Sequence, residues 1–107
     1  IIVWQKAQDF SVAIYNEFKN SKDCSFNDQI KRASVSISNN IAEGFDRSSN
    51  PDFKRFLYFA LASNSEVRSM LYLAVRLNFI SELASKKLID NSNEIARMIF
   101  GLIKSLK

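Results

Sequence analysis

The chain has no histidine, one cysteine, one proline and two glycines in 107 residues. Each scarcity removes a class of protein. Without histidine there is no conventional Ser-His-Asp triad, no imidazole general base and no histidine-containing metal site. One cysteine, Cys24, allows neither an internal disulfide nor a structural zinc site built from several thiolates. Its place in a predicted loop fits a reducing cytosol, so a cytoplasmic location is expected. Di-iron bundles need inward glutamates with Glu-x-x-His motifs, and nucleotide-binding loops need glycine clusters; neither pattern occurs. No catalytic residue, metal-ligand set or cofactor is therefore assigned, and the chain is read as non-enzymatic. So few glycines and prolines argue against an all-β fold, which needs many turns. No run of about 18 apolar residues is present, so no membrane span is expected. The start, Ile1-Ile2-Val3-Trp4, passes directly into helical periodicity without the basic opening of a signal peptide. It also lacks an initiator Met, so leading residues are expected to precede it.

What remains is a chain with 47% apolar residues, enough for a single packed domain over residues 1–107. Its periodicity predicts an all-α, up-down-up-down four-helix bundle with helices at 2–19, 26–45, 51–78 and 82–106. Helix 1 buries Val3/Trp4, Ala7, Phe10/Ser11, Ile14 and Phe18 at three- and four-residue steps. Ser25, with Asp28 three positions on, predicts the start of helix 2, and Gly44 its left-handed close. Asn50-Pro51 predicts a cap and first position for helix 3, whose core stripe is Phe53, Phe56/Leu57, Ala60, Asn64, Val67, Met70/Leu71, Ala74 and Leu77. Ser81 caps helix 4, where Leu88, Ser92, Ile95, Ile99, Leu102 and Leu106 alternate steps of four and three.

Helix 2 stands apart. Ile30, Ala33, Ile37, Ile41 and Phe45 line one face, and beside them Gln29, Arg32, Ser36, Asn40, Glu43 and Arg47 form a polar line about 80° wide. A line that narrow, at the shoulder of an apolar face, belongs against a neighbour rather than in bulk water. Arg32, Asn40, Ser63 and Glu66 are expected to form a network between helices 2 and 3, with Glu43 pairing to Arg47 at i,i+4. The other reading is a polar margin satisfied by water. Small residues (Ala33, Ser34, Ser38, Ala42, Gly44) predict that the other helices pack around this one.

Charge is uneven. Residues 1–53 carry six Lys/Arg against seven Asp/Glu, and residues 54–107 nine against four, for a total of +4. Along helix 3, Lys54, Tyr58, Leu61, Ser65, Arg68, Tyr72 and Arg76 recur at helical spacing away from the core stripe. Cations interleaved with rings suit RNA or DNA, since the cations neutralise phosphates and the rings stack on bases. The same residues suit a subunit interface, and a plain solvated face is the third reading. Lys86, Lys87, Lys104 and Lys107 on helix 4 are placed to extend the basic surface, the other reading being a lysine-bearing face that is simply solvated. The segment from Phe56 to Ala62 is apolar all round, which in a chain this small points to self-association.

Val3-Trp4-Gln5-Lys6-Ala7, Gln29-Ile30-Lys31-Arg32-Ala33, the segment Ser36 to Gly44 with its Asn40-Ile41-Ala42-Glu43-Gly44, and Phe53 to Leu57 together resemble a known family. It is the four-helix-bundle proteins encoded in intervening sequences of bacterial 23S rRNA genes, related to the accessory variability determinant proteins of diversity-generating retroelements. Ala60, Ser63 and Glu66 match that family's pattern in helix 3, while Ala62 stands where it usually carries glycine. The resemblance spans nearly the whole chain. It implies a small bacterial cytosolic protein assembling as a homo-pentamer. From the retroelement relatives it further implies a basic surface that engages nucleic acid and a reverse transcriptase or another nucleic-acid enzyme.

Overall fold

The computed structural model describes residues 1–106. Four helices follow one another: α1 Ile2–Glu17, α2 Cys24–Phe45, α3 Asn50–Arg76 and α4 Glu82–Ser105. Among the described residues there is no strand. Each helix touches both of its neighbours in sequence, and α1 also meets α4. The section is thus a square whose diagonals do not touch. The α2–α3 seam is the most extensive of the four. It was α2 that was expected to have the others packed around it; instead it meets α1 and α3 alone, with α4 lying diagonally across the core.

The apolar stripes converge on one core, except that Phe45 and Leu77, expected in the stripes of α2 and α3, lie at the ends of those helices past the last buried turn and are 60% and 46% exposed. Ile14 and Phe18 from α1, Ile30, Ile37 and Ile41 from α2, Leu57, Val67 and Leu71 from α3, and Ile95 and Ile99 from α4 are all essentially inaccessible to water. Burying side chains of this kind contributes about 1.5–3 kcal/mol each against exposure. In α4 the expected heptad line changes at its end. Leu102 and Leu106 are only partly buried, and Ile103 takes the core position. A straight α-helix drifts about 20° per heptad against a 3.5-residue repeat, which moves the seam over by one residue.

The helix ends differ in detail from their sequence signals. α2 is capped by Asp23, whose Oδ1 accepts the Phe26 N–H at 2.9 Å, so the helix begins before the Ser25–Asp28 box. A carboxylate is the stronger acceptor at a helix N-terminus. Ser49, not Asn50, caps α3, with Oγ accepting the Asp52 N–H at 3.3 Å. Ser81 caps α4 as expected, accepting the Ala84 N–H at 3.1 Å. The left-handed residue is Asn78, at φ 61°, and no glycine has positive φ. Around Asn78 the Phe79 N–H bonds to Ala74 O at 2.8 Å and the Asn78 N–H to Val75 O at 3.0 Å. This is a Schellman closure, and it ends α3 at Arg76 rather than at Asn78. It also turns Phe79 inward, edge-on to Phe26 with centroids 5.1 Å apart.

Gly44 is helical, and its role is contact rather than closure. A Cβ there would stand 2.9 Å from both Phe53 Cδ1 and Phe56 Cβ. The absence of a side chain lets the end of α2 approach the first turns of α3.

Candidate nucleic-acid interface

The seam between α3 and α4 is held by polar groups inside the core. Asn64 and Ser92, both fully buried, exchange two hydrogen bonds: Asn64 Nδ2 donates to Ser92 O, and Ser92 Oγ donates to Asn64 Oδ1, each at 2.9 Å. One helical stretch away, the Ser85 hydroxyl donates to Leu71 O at 3.0 Å. These bonds set the antiparallel register of α4 on α3. Asn64 and Ser92 stand inside apolar stripes in the sequence, where a polar residue recurring at a core position is the signal of such a lock. Read singly, each resembles a tolerated polar residue in a core.

At the outer edge of this seam lies Arg68. Its guanidinium donates to Ser92 Oγ and Asn93 Oδ1 at 3.5 Å and to Ser65 Oγ at 3.4 Å. All three acceptors are neutral. The side chain is half-buried and oriented, yet no carboxylate offsets its charge. Lys54, Tyr58, Tyr72 and Arg76 lie on the same side of α3, within roughly 80° of arc at about 100° per residue. Tyr58 is 53% and Tyr72 60% exposed. Arg76 is exposed and Lys54 half-buried, and neither forms an ion pair with a described residue. Lys86 joins this side, in a groove with Tyr72, Arg76 and Ile89, and pairs with Asp90 at 3.9 Å. Lys87 does not join it. It opens on the opposite flank of α4, in the groove shared with Ala13, Asn16 and Glu17 of α1. Lys104 is exposed in the last turn of α4, and Lys107 lies outside the described residues.

The α2–α3 flank is electrostatically different. Asp52 holds Arg55 at 2.8 Å and lies 3.8 Å from Arg47, which also meets Glu43 at 3.7 Å. Both guanidiniums stack on Phe56, at 4.4 and 4.8 Å from its centroid. Here cations are matched by carboxylates. Further along, Ser63 Oγ donates to Ser36 Oγ at 2.9 Å, and Asn40 Nδ2 donates to both Ser36 O and Ser36 Oγ. Gln29 Nε2 reaches Glu66 Oε2 at 3.3 Å. The structure thus joins Asn40 to Ser63 through Ser36, and leaves Glu66 with Gln29 one step away. Arg32 does not enter this network. It is exposed and forms no hydrogen bond or ion pair with the described residues, because its place on α2 points past the shoulder toward solvent.

Beyond the polar line, α3 presents Phe59, Ala62, Glu66, Ser69, Leu73 and Leu77 outward, all exposed. They recur at steps of three and four, a second seam on the outside of the bundle, with Phe59, Leu73 and Leu77 each at least 44% exposed. Ala62 lies on this outward line. Among the described residues no three Cys, Asp or Glu side chains gather closely enough to hold a metal ion, and no helix is long and apolar enough to cross a membrane.

Fold and surface together define a small all-α bundle with a polar lock inside and, outside, a line on α3 whose cations Lys54, Arg68 and Arg76 form no ion pair with a described residue. The chain belongs to the 23S rRNA-intervening sequence protein family, whose model matches residues 1–101. A solved structure from Bacteroides thetaiotaomicron VPI-5482, described as a protein with unknown function from the S23 ribosomal protein family, is 30% identical in sequence. The match covers 96% of this chain and 99% of that one, with a TM-score of 0.91. No curated protein matches the chain.

Proposed function

We propose that this protein is a non-enzymatic, homo-oligomeric bundle that binds RNA or DNA through its α3–α4 face, in the cytoplasm, as an accessory to an enzyme acting on nucleic acid. The observation that carries the reading is the pairing pattern of the cations. Arg47 and Arg55 on the α2–α3 flank sit with carboxylates; on the α3–α4 side Lys86 pairs with Asp90, but Lys54, Arg68 and Arg76, in one line along α3, form no ion pair with a described residue. Unpaired cations along one face are what a polyanion neutralises, and counterion release then drives binding. A homo-oligomer, a pentamer by family resemblance, repeats that face around the assembly.

A salt titration of binding to a random-sequence RNA or DNA tests it. The logarithm of the affinity should fall linearly with the logarithm of salt. Arg68→Ala with Arg76→Ala should flatten the slope by about 0.7 for each single-strand phosphate that is no longer neutralised. No binding at about 50 mM salt by the intact oligomer would overturn the reading. A second reading, a protein–protein scaffold without nucleic-acid binding, is favoured by the outward seam of Phe59, Leu73 and Leu77. It predicts self-association with no salt-dependent binding.

A further inference from the structure

We infer that the α3–α4 face takes nucleic acid in unpaired form, with Tyr58 and Tyr72 stacking on bases while Lys54, Arg68 and Arg76 meet the phosphates. The inference rests on the nucleic-acid reading above and specifies the state of the strand. Its basis is the alternation on the face. Lys54 is followed one turn later by Tyr58, and Arg68 by Tyr72 and then Arg76, each step again one turn. Cations and rings therefore occur in the same line, about 33 Å from end to end at 1.5 Å per residue.

The rings are placed for contact and not for packing. Tyr58 and Tyr72 expose more than half their surface, and neither hydroxyl makes a hydrogen bond with the described residues. On α4, Phe100 is 52% exposed. It lies on the shoulder that also carries Ser85 and Ser92, both bonded to α3, and the register those bonds set places it toward the first half of α3, where Tyr58 is. A duplex hides its bases in its own stack and offers a straight helix face only phosphates and groove edges, so it would use the cations and leave the rings idle. An unpaired strand offers both partners, because every base has a π-face and stacking on a protein ring is tolerant of sequence. Arg68 contributes orientation. Within 3.5 Å of Ser65, Ser92 and Asn93, its guanidinium is directed toward the α3–α4 seam at a level between the two rings.

The test is fluorescence anisotropy with a labelled single-stranded RNA of about 20 nucleotides, the same strand annealed to its complement, and the single-stranded DNA of that sequence, at matched salt. The single strands should bind more tightly than the duplex. Tyr58→Leu and Tyr72→Leu should each weaken single-strand binding about five-fold or more, leaving duplex binding and the salt slope unchanged. Tyr58→Phe and Tyr72→Phe should retain it. A duplex bound as tightly as the single strand, or leucine variants that bind like the parent, would overturn the inference while leaving electrostatic binding standing. If the leucine variants lose binding and also fall to a smaller mass in light scattering, the rings are subunit contacts and the inference is overturned. Failure of every probe to bind the parent protein would remove this inference together with the nucleic-acid reading.

Discussion

At Gly44 a methyl group would meet Phe53 and Phe56 at 2.9 Å, with Phe53 O at 3.2 Å, so backbone and a side-chain root both stand in its way. Neither can swing aside as the tip of a long side chain would. Gly44→Ala is therefore expected to lower stability by about 1–3 kcal/mol through overpacking. Gly101 has no atom within 4 Å of its virtual Cβ and lies inside α4. Gly101→Ala should raise stability by about 0.5–1 kcal/mol by restricting the unfolded chain and favouring the helix. Urea unfolding of both variants at one protein concentration checks the opposite signs. The two glycines look alike in sequence. Only the place of Gly44 against α3 separates them, and that distance is a tertiary fact.

At the scale of the elements, the Asn64–Ser92 exchange decides how α4 sits on α3. Asn64→Ala would leave the Ser92 hydroxyl buried without its acceptor, at a cost of about 1–3 kcal/mol. Asn64→Leu combined with Ser92→Ala removes both polar partners and should recover most of that loss, which a double-mutant cycle by thermal or urea unfolding would read. The four helices were legible because apolar residues recur at three- and four-residue steps over long stretches, and the few glycines and prolines mark the connections. Their first residues were harder. Asp23 competes with Ser25, and Ser49 with Asn50, within two positions, and the choice falls to whichever residue the loop leaves in an extended conformation. The candidate face was legible as a line of residue types on α3. That Lys86 joins it and Lys87 turns away depends on the register of α4, which one helix read alone does not contain. The absence of a partner for Arg32 has the same origin: the periodicity placed it on the polar line, but at the margin farthest from α3.

For the whole molecule, the outward seam on α3 bears on assembly. Phe59, Leu73 and Leu77 are exposed on one line with Ala62, Glu66 and Ser69 between them, an apolar patch at each end with small residues on either side of one carboxylate. Light scattering at micromolar concentration should return a mass several times the 12.3 kDa of one chain. Phe59→Glu with Leu73→Glu should reduce it toward one chain while the helical circular dichroism persists. A monomeric parent protein would overturn the assembly proposal. This seam adjoins the basic line on α3, with Ser69 and Ala62 within about 40° of Tyr58 and Arg76 at 100° per residue, so a subunit seated on the seam would stand beside the tyrosines.

The square arrangement has an electrostatic consequence. Because α1 is beside α2 and α3 beside α4, the two halves of the sequence are also two halves of the bundle. Residues 1–49, the α1–α2 half, carry six basic and six acidic residues, and residues 50–107, the α3–α4 half, nine against five. The protein is in effect an electric dipole directed across its short axis. In the field of a polyanion it is turned before it touches, α3–α4 side foremost, so fewer encounters are wasted on the wrong face. If the proposed binding to RNA or DNA holds, raising salt should slow association itself as well as weaken the affinity.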